Sequence, residues 1–79
     1  MSRQHEDAYE HGKRDERQWL QASLTEGDTP LEASVREAAN IAEDLGLAQE
    51  GYEQATDDKS RDYWSRQIAY LEGQWSVLD

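Results

Sequence analysis

The chain has 79 residues, a formal net charge of −10 from 18 Asp and Glu against 8 Lys and Arg, and a hydrophobic fraction of 35%. Nine of those hydrophobic residues are Ala and one is Met1, leaving 18 large apolar side chains, enough for one small domain with a thin core. With no Cys and no apolar run near the roughly 18 residues of a membrane span, disulfide, thiolate-zinc and transmembrane readings drop out and a cytoplasmic protein is expected, while so negative a chain disfavours direct contact with nucleic acid or anionic membrane and favours a protein partner with a basic surface.

There is no Phe and only four Val plus Ile, against abundant Ala, Leu, Glu, Gln and Arg. That composition forms helices and gives little to a sheet. The expected fold is all-α: a small three-helix bundle, or a helical hairpin with an accessory N-terminal helix, in a single domain spanning 1–79. The first helix is expected over about 7–25, its apolar side built from Ala8, Gly12, Trp19, Leu20 and Leu24. Apolar content is concentrated in its second half, so residues 1–6 are expected to fray.

The clearest boundary follows. Gly27 ends the first helix, Thr29 is placed to cap the next, Pro30 fits the first helical position where its missing N–H costs nothing, and Glu32 stands three residues after the cap. The second helix is expected over about 30–55, with Leu31, Val35, Ala38, Ala42, Leu45, Gln49 and Tyr52 at helical spacing as its buried stripe. Gly46 and Gly51 each cost about 1 kcal/mol relative to Ala in a helix interior, so a break near Gly46, with Leu47 folding back, is the alternative.

The third helix is expected over about 57–77, opening on acidic residues that suit the positive end of the helix dipole. Trp64, Ile68, Leu71, Trp75 and Leu78 recur at four, three, four and three, a heptad seam. Three indoles are many for a core this small, so homodimerisation along Trp64, Ile68, Leu71 and Trp75 is expected. Tyr63 and Tyr70, seven apart on the flank of that seam, are candidates for contact with a partner.

Charge is unevenly distributed. Residues 1–20 carry a net −1, residues 21–58 carry ten acidic groups and one basic for a net −9, and residues 59–79 are neutral. On the second helix Glu32, Glu43 and Glu50 share one side, and Glu37 and Asp44 share another. Two carboxylate rails flanking the stripe form a candidate docking face for a basic protein groove; a solvated face that maintains solubility, as in a high-salt cytoplasm, is the plainer reading.

Catalytic patterns are absent from the sequence. His5 and His11 stand six apart, on different helix faces, whereas a zinc-protease helix needs them four apart. Asp7, His11 and Asp15 do share a face, but two carboxylates around one imidazole on a polar helix make a poor metal site, and the five glycines follow no phosphate-loop pattern. No enzyme, cofactor or metal is expected. The expected function is a non-enzymatic inhibitor that occupies a basic, nucleic-acid-handling protein surface, in the manner of the small acidic proteins that phages and mobile elements direct at defence systems, anti-CRISPR proteins among them. The alternative is a homo-oligomeric scaffold whose acidity serves solubility.

Overall fold

A computed structural model describes residues 5–27 and 29–78. Met1 to Gln4, which belong to the segment expected to fray, lie outside it, as do Asp28 and Asp79. The fold is a small all-α three-helix bundle, α1 Glu6–Thr25, α2 Pro30–Gln54 and α3 Asp58–Leu78. Among the described residues no helix is long and apolar enough to cross a membrane.

Local chemistry sets the ends. At α2 the Glu32 N–H donates to Thr29 Oγ1 at 3.2 Å and Pro30 occupies the first turn, so one orphan donor is satisfied and another is absent. Gly27 closes α1 in the left-handed region at φ 106°, which L side chains adopt only under strain. At the start of α1 the His5 carbonyl accepts from the Ala8 and Tyr9 N–H groups at 3.0 and 3.1 Å. α2 runs unbroken through Gly46 and Gly51, so the alternative break does not occur.

The short connections make α2 antiparallel to its neighbours and α1 parallel to α3. Pairs between α1 and α3 accordingly ascend together: Asp7 with Arg66, Asp15 with Tyr70, Glu16 with Gln74. These two helices meet where neither has a side chain. A Cβ on Gly12 would run into the Tyr70 carbonyl, and a Cβ on Gly73 would run into the Tyr9 carbonyl. Ala8 and Ala69, one turn before each glycine, are both buried. The result is a small-xxx-small crossing of backbone on backbone.

α2 covers a different face of α3. Ile41, Ala48 and Leu71 form the buried cluster, with Leu45, Trp64, Ile68 and Leu78 packed against it. The expected seam of α3 is therefore turned to α2 within one chain. The expected stripe of α2 needs correction: Leu31, Val35 and Tyr52 are 74%, 61% and 43% exposed, while Ala33, Ile41 and Ala48 are buried. The cause is Gly51, whose missing side chain leaves room for the Trp64 indole. Seating that ring turns Ala48 and Ile41, three and ten residues earlier, toward α3 and rotates the Leu31–Val35 line outward.

Gly46 provides the contrast, because a Cβ there would meet nothing within 4 Å. Gly46→Ala should stabilise the fold by about 1 kcal/mol through helix propensity. Gly12→Ala and Gly73→Ala gain the same propensity, yet they force a methyl onto rigid backbone, and overpacking of about 1–3 kcal/mol exceeds the gain. Thermal unfolding should place Gly46→Ala above the wild type and both other variants below it, with about 4–8 °C per kcal/mol.

Candidate functional site

The carboxylates of α2 separate into an outer and an inner set. Glu32, Glu43 and Glu50 are exposed on the outward face, and no ion pair among the described residues involves them. Glu50 Oε1 accepts from Gln54 Nε2 at 3.2 Å. Arg36, the sole basic residue between positions 21 and 58, reaches toward α1, where Nη2 stands 3.4 Å from Ser23 Oγ. The second expected rail does not stay together as a surface. Asp44 is exposed beside Leu47, Trp64 and Gln67 in a shallow groove between α2 and α3, whereas Glu37 is half-buried and faces Glu16.

Glu16 is the residue that sequence reasoning missed. It is fully buried, its Oε1 accepts from Gln74 Nε2 at 3.4 Å, and its Oε2 has no hydrogen-bond partner among the described residues. Burial, with the Glu37 carboxylate as a smaller contribution, pushes its pKa up to about 7. The available signal was spacing: Ala8, Gly12 and Glu16 lie four apart, so whatever buries the two small residues carries Glu16 with them.

The aromatic candidates also part company. Tyr63 is 55% exposed and stands edge-on to Trp64 with centroids 5.0 Å apart. Tyr70 is turned against α1, where its hydroxyl donates to Asp15 Oδ2 at 2.7 Å and its ring meets His11 edge-on at 5.6 Å. Burial and that hydrogen bond raise its pKa to about 12. Tyr70 is therefore committed within the chain and does not extend a surface with Tyr63. Of the expected self-association residues, Leu71 is buried, Trp64 and Ile68 are half-buried against α2, and Trp75 is 38% exposed.

The Asp7, His11 and Asp15 face borders α3, with Asp7 and His11 exposed and Asp15 half-buried. Asp7 Oδ2 accepts from Arg66 Nη1 at 2.8 Å, a hydrogen bond that holds its carboxyl below the usual carboxylate range. His11 Nε2 lies 3.3 Å from Asp15 Oδ2, and the latter is shared with Tyr70. No cluster of three or more His, Cys, Asp or Glu among the described residues is arranged to hold a metal ion. Compared with family models, curated proteins and solved structures, the chain matches none.

Glu16 gives a pH signature with a defined sign. Its pKa is raised from 4.5 to about 7 on folding, so below pH 4.5 both states hold the proton and there is no penalty. As pH rises from 4.5 to about 7 the unfolded chain releases the proton first and stability falls. Glu16→Gln keeps the shape without the ionisation, so its urea midpoint should exceed that of the wild type at pH 8, and the gap should close toward pH 4.5. A gap that stays constant across this window would show that the buried carboxyl titrates normally.

Proposed function

We propose that this chain is a non-enzymatic binding protein that lays the outward face of α2 on a basic, nucleic-acid-handling protein surface and blocks it, in the manner of small anti-CRISPR-type inhibitors. The observation that carries the reading is the outer carboxylate row. Glu32, Glu43 and Glu50 sit on one exposed side of an unbroken helix, outside every ion pair of the described residues. Where a surface is evolved for solubility alone, charges of both signs are usually interspersed. Here the net −9 is gathered on residues 21–58 and residues 59–79 are neutral. A rigid row of carboxylates attracts a basic groove and speeds encounter with it.

The test starts from the tagged chain recovered with its partner from cells that express it. Binding should weaken about tenfold from low to physiological salt, mainly through the association rate. Reversing Glu32, Glu43 and Glu50 to Lys should abolish it with folding intact, because exposed charges contribute within about 0.5 kcal/mol each. Added nucleic acid should compete with the wild-type chain for the partner. A homo-oligomeric scaffold, the rival reading, would instead keep or tighten its assembly as salt screens repulsion between copies. Salt-independent capture of the partner by both wild type and triple variant would overturn the proposal.

A further inference from the structure

The line on α2 that was expected to be buried is only partly covered: Ala38 and Leu45 are half-buried, but Leu31 and Val35 are 74% and 61% exposed, and Ala42 and Gln49 are exposed, with Gly46, also exposed, one turn beyond Ala42. The second half of this line borders a groove of about 560 Å³ bounded by all three helices, with Ala42, Leu45, Gly46 and Gln49 of α2, Glu72 and Trp75 of α3 and Tyr9 of α1 in its lining. Trp75 is 38% exposed, and among the described residues nothing stands within 4 Å of a Cβ placed on Gly46. The Ala-x-x-x-Gly spacing that lets α1 and α3 touch, at Ala8–Gly12 and Ala69–Gly73, recurs at Ala42–Gly46, where nothing among the described residues closes over the glycine.

Charge indicates what would lie there. Among the described residues no Lys or Arg lines the groove, Glu72 is part of its wall, and Glu43 and Glu50 stand one residue beyond Ala42 and Gln49. A second copy would bring carboxylate rows together between chains of net charge −10 each, so self-pairing is opposed. Attraction by itself is also too dilute. α2 carries six Asp and Glu over 25 residues, about one charge per 6 Å at a rise of about 1.5 Å per residue, against one per about 1.7 Å of duplex DNA. A chain that competes with nucleic acid for a basic protein needs apolar burial as well.

We infer that the groove seats an amphipathic helix of a basic partner, its apolar side on Ala42, Leu45, Gly46 and Trp75 and its Lys or Arg side chains on Glu43, Glu50 and Glu72. This deepens the proposed function and rests on it. A helix fits because the groove is walled by helices and its glycine position permits close approach.

The probe is a synthetic helical peptide with Leu on one face and Lys on the other; the control has the same composition shuffled so that the leucines share no face. By titration calorimetry the ordered peptide should bind about tenfold tighter, a difference of about 1.4 kcal/mol. Gly46→Leu fills the groove without altering charge and should reduce the ordered peptide to the shuffled level, with thermal unfolding showing the fold retained. Trp75→Gln, at a partly exposed position, should do the same and serves if Gly46→Leu does not fold. Equal binding of the two peptides, or undiminished binding by a folded groove variant, would overturn the inference. The acidic-face reading would nonetheless stand if the Glu32, Glu43 and Glu50 to Lys variant loses the natural partner. A wild-type chain that is dimeric at these concentrations and made monomeric by Gly46→Leu would identify a second copy as occupant and likewise overturn it.

Discussion

The structure depends on two glycines that face each other's helix. At Gly12 and Gly73 the backbones of α1 and α3 come so close that a single methyl on either would strike a carbonyl of the other. Close approach multiplies dispersion contacts along the crossing and brings the flanking polar side chains within reach, so that Arg66, Tyr70 and Gln74, four apart, meet Asp7, Asp15 and Glu16. A helix as polar as α1 could not be held by a broad apolar face, because it does not have one. Shape and charge-assisted hydrogen bonds hold it instead. The burial of Glu16 is a consequence, since a residue one turn beyond Gly12 has nowhere else to go.

The second contact, between α2 and α3, follows the opposite rule. A large ring needs a gap, and the Trp64 indole finds it at Gly51. That fit sets the rotation of α2, and from it follow the inward Ile41 and Ala48 and the outward Leu31 and Val35. The sequence contains two stripes on this helix at compatible spacing. Only the partner surface decides which is buried, because period alone specifies a face but not the neighbour that it meets.

This explains what was legible. The Thr29–Pro30 start of α2 and the three helices are local matters of capping, propensity and period, and they appear in the structure as the residues suggest; the period of α3 marks an apolar face, but its neighbour is α2. The roles of Gly12, Gly51 and Gly73 are not local. Each glycine looks like a defect in a helix until the opposing residue is known, and the opposing residues are more than ten positions away. For the same reason the carboxylates of α2 could be counted but not sorted. Rotating the helix moved Glu37 inward to Glu16 and left Glu32, Glu43 and Glu50 outside.

On the proposed reading, the acidity and the uncovered groove explain one another. An exposed line of Leu31, Val35, Ala42 and Trp75 is a liability on a small protein, because apolar surface attracts other copies as readily as a partner. Carboxylates beside that line raise the free energy of bringing two copies together while lowering that of meeting a basic surface, so one set of charges serves both attraction and exclusion. The two effects also act at different ranges. Coulomb attraction operates out to a Debye length of about 8 Å at physiological salt and governs encounter, whereas a groove acts at contact and governs how long a complex lasts. Solubility alone would be served by the same charges spread over all three helices. On this reading it is the net −5 of α2, against −2 on α1 and zero on α3, that ties the charges to recognition.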